Sequence, residues 1–520
     1  MDENKLAKSV QHVMVVFLFL FVALISYMTY FQVFKGPKIA EDSGNVRVLA
    51  AKNEVLRGTI YDRNGTALTE TTRVDDLNQE RKYLYGSLLV HPIGYYDSIY
   101  GVSGLEAEYD NELSSNSFIG NSYRRFLSSI DFKGLISDIK DDFVNEKKLN
   151  LAENFRTFID KIKVTEEEEE NQEKVGNSIV TTIDLELQQV ASDALGDNKG
   201  AVVAINPKTG EILAMVSKPT FDPNDLAASL EAAYSGSDDE TPLINRAIDG
   251  LYPPGSVFKT VTLASALENI DDVANRTFND QGKITFDDGS TLNNYAYQSH
   301  GAIDLRYAYR VSSNVVFGGL AMELGNSALK QTAEDFGFNS VISGPGLSIT
   351  ASQFPTLESY QEGEIAQSGI GQGDVLSTPM QMALVAATVA NDGVMMQPKL
   401  VNSVLDSSGN TVETMESTEL KQVISSDIAS TIKSYMKYLV DNNLYRWPAF
   451  EGTNAGGKTG TADYKLPDGT DAVPHAWFIS AAPMNDPEIA VAVIVENGES
   501  GAVISAEIAS YVVRKAVLGY

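Results

Sequence analysis

The sequence predicts a mixed α/β fold of the α+β kind for residues 177–520, an antiparallel sheet covered by helices. Apolar strands pair across hairpin-length loops at both ends of this unit: Ala201 to Ile205 with Glu211 to Ser217, and Ala476 to Ala481 with Ile489 to Glu496. Helical periodicity fills the stretch between them and returns in a last helix from about Ser505 to Leu518. The 520-residue chain is 43% hydrophobic, enough for real cores in roughly two to four domains.

In chain order, a membrane segment comes first. Ser9 to Phe34 contains no Asp, Glu, Lys or Arg, and roughly 20 apolar residues suffice to cross a bilayer. The run is longer than a signal-peptide core and no A-x-A site follows it, which predicts an uncleaved transmembrane signal anchor over 9–34 behind a short tail, residues 1–8. Lys5 and Lys8 on one flank match Lys35 and Lys38 on the other, so charge leaves the orientation undecided. Residues 35–176 form a smaller domain. Asp62-Arg63-Asn64-Gly65 is a turn signal between short strand-like pieces, and residues 136–175 read as a charged helical insertion in which the run Glu166 to Glu170 is solvated. At 177 the main unit begins. Thr182 is placed to cap a helix from Leu185 to Leu195, and Gly196 to close it. Asn206 to Gly210 and Pro483 to Pro487 supply the two hairpin turns, and Met382 to Val389 reads as core.

Composition removes several classes of function. Forty basic against seventy acidic residues leave a net charge of −30 with no basic stripe, which argues against nucleic acid as a partner. The absence of cysteine excludes disulfides, thiol nucleophiles and Cys-based zinc or iron–sulfur sites. Four histidines without a His-x-x-x-His pair predict no metal, and no cofactor motif stands out.

The chemistry is carried by hydroxyls and lysines. Tyr252-Pro253-Pro254-Gly255 stops the chain and launches an apolar helical run at Ser256, so the Ser256 N–H is free to stabilise an oxyanion. Lys259 lies one turn on, on the same face, and an amine serves as base for a serine when burial or a second cation keeps it neutral. A lone Ser-x-x-Lys is common by chance. Here Ser312-Ser313-Asn314 follows 56 residues later in a helical context, Arg306 to Leu324, and Lys458-Thr459-Gly460-Thr461 follows 144 residues after Asn314 on a strand. A second hydroxyl to relay a proton, an amide to hold a peptide and a cation beside hydroxyls to bind a carboxylate complete a serine acyltransferase that lacks histidine.

With these motifs in this order the chain resembles a class B penicillin-binding protein, a peptidoglycan D,D-transpeptidase. The resemblance extends to Arg57-Gly58-Thr59-Ile60-Tyr61-Asp62-Arg63-Asn64-Gly65, Ser103-Gly104-Leu105-Glu106, Gly371-Gln372-Gly373, Thr378-Pro379 and His475-Ala476-Trp477-Phe478. It implies a cytoplasmic tail, a single anchor in the cell membrane, a pedestal domain with its insertion over 35–176 and an extracytoplasmic transpeptidase domain over 177–520. It also implies Ser256 as acylated nucleophile, Lys259 as its base, Ser312 as proton relay and Asn314 as the contact to the peptide amide. Lys458 would add positive field, Thr459, Gly460 and Thr461 would bind the substrate carboxylate, and the Ser256 and Thr461 N–H groups would form the oxyanion hole. The implied partners are peptidoglycan stem peptides, β-lactams that mimic them, and a polytopic membrane glycosyltransferase. The implied process is cell-wall biogenesis in cell shape or division.

Rival readings are weaker. Gly452 to Thr459 matches the P-loop pattern letter for letter, but that mechanism needs a strand before the loop and a helix opening at the lysine, and Gly460, Pro467 and Gly469 oppose such a helix. A serine β-lactamase needs a group to activate the deacylating water, and none stands out. A D,D-carboxypeptidase shares the motifs and remains the alternative within the enzyme class. A penicillin-binding sensor or scaffold is the alternative outside it, opposed by the intact Ser256, Lys259, Ser312, Asn314 and Lys458 and by only eight residues before the anchor. His475 and Asp374 read as structural.

Overall fold

The computed structural model describes residues 55–75, 78–97, 99–114, 174–235, 241–465 and 469–520. The expected tail and anchor, and nearly all of the 136–175 insertion, lie outside the described residues. Among those described, no helix is long and apolar enough to cross a membrane. The chain divides into two compact units. One comprises residues 1–57, 72–80 and 114–176, and in its described part Leu56 pairs with the 174–176 segment, Leu56 N–H to Lys174 O at 2.7 Å and Gly176 N–H to Leu56 O at 2.8 Å. The other comprises 58–71, 81–113 and 177–520 and holds every residue of the candidate site.

The elements of the larger unit that matter here follow in chain order. They are β1 (Ile60–Tyr61), β2 (Ser178–Thr181), α1 (Leu185–Leu195), β3 (Gly200–Ile205), β4 (Ile212–Lys218) and α2 (Lys259–Asn269). Next come β5 (Thr277–Asp280), β6 (Gly301–Asp304), α3 (Leu305–Arg310), α4 (Asn314–Asp335) and α5 (Pro379–Ala390). The last are β7 (Val401–Leu405), β8 (Thr411–Thr414), α6 (Ser426–Asp441), β9 (Gly456–Ala462), β10 (His475–Ala482), β11 (Ile489–Val495) and α7 (Ser505–Leu518).

Five antiparallel strands in the order β9-β10-β11-β3-β4 form the main sheet. Antiparallel strands with one wet face alternate apolar and polar residues, but β11 reads Ile-Ala-Val-Ala-Val-Ile-Val and is buried throughout. The reason is that helices cover both faces. Val202, Phe478, Val491 and Val493 pack with Leu187 and Ala191 of α1 and Ala509, Val512 and Val513 of α7. Val203, Trp477, Ile479 and Ala492 face the cluster holding Val261 of α2, Met382 of α5 and Ile432 of α6. Each such apolar side chain contributes roughly 1.5–3 kcal/mol by leaving water, so strands buried on both sides hold the sheet rigid beneath the site. All twelve residues of α5 are buried, in line with the core expected from Met382 to Val389.

A second sheet, β1-β2-β7-β8, joins the segment after Gly58 to the main unit, with β1 parallel to β2. The turn expected at Asp62–Gly65 is present: Asp62 Oδ1 accepts from the N–H groups of Asn64 and Thr66 at 2.9 and 2.7 Å. One cap differs from expectation. Asp184, not Thr182, caps α1 by accepting from Leu187 N–H at 3.0 Å. The Thr182 hydroxyl is buried and donates to the backbone carbonyls of Ile212 and Lys399, which stitch strand ends together. Asp184 stands three residues before the N–H it serves, which is the geometry a cap requires.

Candidate active site

Pro253, Pro254 and the left-handed Gly255 (φ 55°) turn the chain into one 3₁₀ turn, Gly255–Phe258, that continues into α2. Ser256 is half-buried at its start and Lys259 fully buried one turn on. This turn lies against β9. A side chain at Gly255 would come within 2.5 Å of the Thr461 carbonyl oxygen, and one at Gly460 within 3.1 Å of the Pro254 carbonyl and 3.0 Å of Val257. Trp477 Nε1 donates to Pro253 O at 3.0 Å and fixes the turn from β10. Glycine at 255 and 460 is what permits this approach.

The helix expected over Arg306 to Leu324 is not continuous. It ends at Arg310 and restarts at Asn314, and Ser312 between them adopts a left-handed backbone (φ 58°) that costs a non-glycine residue energy. The break has a structural use. It frees the Ser312 carbonyl from the helical ladder to accept from Lys259 Nζ at 2.7 Å. Lys259 Nζ also donates to Ser312 Oγ at 3.1 Å and to Asn314 Oδ1 at 2.7 Å. Lys458, buried on the edge strand β9, reaches Ser312 Oγ from the other side at 3.0 Å and donates to Thr459 O at 2.9 Å. The rings of Phe317 and Tyr309 lie 5.8 and 5.5 Å from the two ammonium nitrogens.

Burial disfavours both ammonium charges. It brings Lys458 down to about 7, and burial followed by the neighbouring Lys458 charge holds Lys259 well below the usual lysine range, with Asp280 pulling the other way. Two amines that share one hydroxyl titrate as a pair. Burial thus biases both amines toward the neutral form, and an amine held so can take a proton, an arrangement suited to activating a serine without histidine.

Thr459 and Thr461 alternate with Lys458 along β9 and share the opposite face of the strand; Thr459 is half-buried and Thr461 exposed. Lys458 sits in mid-strand opposite Ile479, so the P-loop pattern that ends at Thr459 lacks its helix. His475 is packed rather than poised: burial lowers it to about 4, Tyr464 stacks on it at 4.2 Å, and its Nδ1 accepts from Asn497 N–H at 3.3 Å. Asp374 lies in the loop that follows Gly373.

Sequence reasoning missed the support beneath the site. Asn294 Oδ1 accepts from Asn314 N–H at 2.7 Å and Val315 N–H at 3.1 Å, and Asn314 Nδ2 donates to Asn293 O at 2.6 Å. Asp280, at the end of β5, is fully buried and binds both Asn294 and Ser313. The doublet Asn293-Asn294 in a turn-rich stretch is the one sequence signal that pointed here, and a weak one.

A family profile described as "Penicillin binding protein transpeptidase domain" matches residues 200–514, more than half of the chain, and one described as "Penicillin binding protein A dimerisation domain" matches 57–133. The peptidoglycan D,D-transpeptidase PbpA of Mycolicibacterium smegmatis is 31% identical over 507 residues, 94% of each chain. The ceftriaxone acyl-enzyme complex of penicillin-binding protein A from M. tuberculosis is similar with a TM-score of 0.74 and 28% identity, over 90% of this chain and all of that one. The D,D-transpeptidase domain of a peptidoglycan glycosyltransferase from Eggerthella lenta is 32% identical with a TM-score of 0.72, over 90% of this chain and 99% of that one.

Proposed function

The chain belongs to the penicillin-binding protein transpeptidase family, and from that premise we propose how its residues carry out peptidoglycan D,D-transpeptidation. The enzyme is a serine-type D,D-transpeptidase that binds β-lactams. The observation that supports the assignment of roles is the convergence of two buried lysines on the Ser312 hydroxyl, at 3.1 and 3.0 Å.

In this reading Ser256 Oγ attacks the carbonyl of the penultimate D-alanine while its proton passes to neutral Lys259. The N–H groups of Ser256 and Thr461 hold the oxyanion. Ser312, its hydroxyl oxygen accepting from both amines, hands a proton to the departing D-alanine amine, and the Ser256 ester remains. The acceptor amine of a second stem peptide then attacks that ester, the same groups return the protons, and Ser256 is released with the cross-link formed. Thr459, Gly460 and Thr461 bind the terminal carboxylate, Lys458 adds positive field, and Asn314 aligns the peptide. A β-lactam acylates Ser256 by opening its ring, but its leaving amine stays tethered, so the ester persists.

The anchor over 9–34 would place residues 35–176 as a pedestal and 177–520 as the transpeptidase domain outside the cell membrane, and a polytopic glycosyltransferase is the partner class proposed for the anchor and pedestal. The charge-free run Ser9 to Phe34 supports the anchor. The test uses the full-length chain in membranes with a fluorescent penicillin. Wild type labels and Ser256→Ala does not; persistent labelling of the variant overturns the nucleophile. Acylation by a thioester donor with an added amine acceptor separates the reactions: amide product supports transpeptidation, and hydrolysis alone supports a carboxypeptidase.

A further inference from the structure

The chemistry above requires Ser312 to sit in a strained left-handed conformation with its hydroxyl between two amines, and little in its own sequence holds it there. What holds it is the start of α4. The first three N–H groups of that helix have no intrahelical partner, and side chains accept all three: Asn294 Oδ1 takes those of Asn314 and Val315, and Ser313 Oγ takes that of Val316 at 3.1 Å. Both capping side chains are in turn gripped by one carboxylate. Asn294 Nδ2 donates to Asp280 Oδ1 and Oδ2 at 2.8 and 2.9 Å, and Ser313 Oγ donates to Asp280 Oδ2 at 2.7 Å. Gly282 N–H closes the set on Oδ1 at 2.9 Å. Asp280 is wholly removed from solvent, and its bonds to Asn294 and Ser313 lead to the segment bearing Ser312 and Asn314.

We propose that Asp280 is a positioning residue of the transpeptidase site: it locks the Ser312–Asn314 turn through Ser313 and Asn294, and it is the buried counter-charge of Lys259. This inference rests on the reading of Lys259 as the base of Ser256. The charged groups facing Lys259 are Lys458 from β9, which lowers its proton affinity after burial has done so, and Asp280 from β5, which raises it. Tyr309 from α3 bonds Thr260 beside it, and burial pushes that phenol up, out of the working range. The Asp280 carboxylate therefore favours the protonated form of Lys259, against burial and the Lys458 charge.

The geometric and electrostatic parts separate in two variants. Asp280→Asn removes the charge and keeps an acceptor for Gly282 and Asn294 but none for Ser313, so the position of its limb reads the charge, while Ser313→Ala keeps the charge and cuts that tether alone. Acylation of the full-length protein by a chromogenic cephalosporin is followed from pH 5 to 9, with thermal melting to confirm folding. Losing the negative charge makes Lys259 easier to deprotonate, so the acid limb of the Asp280→Asn profile moves down by about one pH unit. Ser313→Ala lowers the rate roughly tenfold or more across the whole range and leaves the limb in place. A folded Asp280→Asn variant whose limb coincides with wild type overturns the proposal. If Asp280→Asn does not fold, Ser313→Ala decides: a rate within twofold of wild type overturns it. If wild type itself is not acylated, the reading of the site fails first, and the two failures are distinct.

Discussion

Both site lysines hydrogen-bond only to neutral oxygens, Lys259 to Ser312 and Asn314 and Lys458 to Ser312 and the Thr459 carbonyl. Neither has a contacting carboxylate to repay the desolvation of its charge, which is why burial dominates. The consequence for stability has a definite sign. Lys458 falls from 10.5 to about 7 on folding, so between those values the unfolded chain binds a proton that the folded chain does not, and stability from this group rises with pH. Below about 7 both states are protonated and the slope vanishes. Replacing Lys458 with Met flattens the rise by roughly a few kcal/mol across that window, which denaturant midpoints at pH 7, 8 and 9 will measure. At this scale Ser256 and Lys259 were legible because one helical turn joins them, and Ser312, Asn314 and Lys458 because three motifs stood in a fixed order. Asp280 and Asn294 were not, since a carboxylate acting on a helix 33 residues away leaves no local periodicity to read.

Strands and helices were legible where burial is continuous. The pair β10 and β11 and the helix α7 lie within a residue or so of their expected bounds, because their apolar runs have no competing partner. Elements failed where a side chain overrides propensity. The helix over 306–324 is broken by the contacts of Ser312, and the cap of α1 moves to Asp184 because Thr182 is engaged by distant carbonyls. Gly460 tests the contact between two elements. It lies in mid-strand with its backbone paired to Trp477, and its missing side chain is what lets the Ser256 turn rest on β9. Gly460→Ala places a methyl 2.9 Å from Trp477 Cβ and 3.1 Å from a backbone oxygen, so the turn must move away from the strand. Acylation by penicillin then falls roughly a hundredfold, from misplacement of Ser256 relative to Thr461, with the melting temperature lowered by only a few degrees. Unchanged acylation kinetics would show that the turn and strand are not coupled.

The chain carries a net charge of −30, and among the described residues few charged side chains are buried. Of the site lysines, Lys259 feels the opposite charge of Asp280, while burial alone shifts Lys458. Among the buried ion pairs described in the larger unit the most enclosed is Arg81 with Glu106, and Glu106 belongs to a segment that carried part of the family resemblance. Their side chains are 2% and 0% exposed, with Arg81 Nε donating to Glu106 Oε1 at 2.8 Å. Arg81 also donates to Gly58 O and Thr71 Oγ1, and Tyr83 OH donates to the same Glu106 oxygen at 3.2 Å. A pair so enclosed adds little net stability over apolar residues of the same shape, but either half left alone is an uncompensated buried charge. Glu106→Ala therefore costs about 3–5 kcal/mol and lowers the melting temperature, whereas Arg81→Met with Glu106→Leu recovers much of the loss. Penicillin acylation per folded molecule stays at the wild-type rate in both, because none of these groups bonds to Ser256, Lys259, Ser312 or Lys458. Should the double variant melt as low as Glu106→Ala, the network's hydrogen bonds to Gly58 and Thr71, rather than the pairing of its charges, hold this part of the chain together.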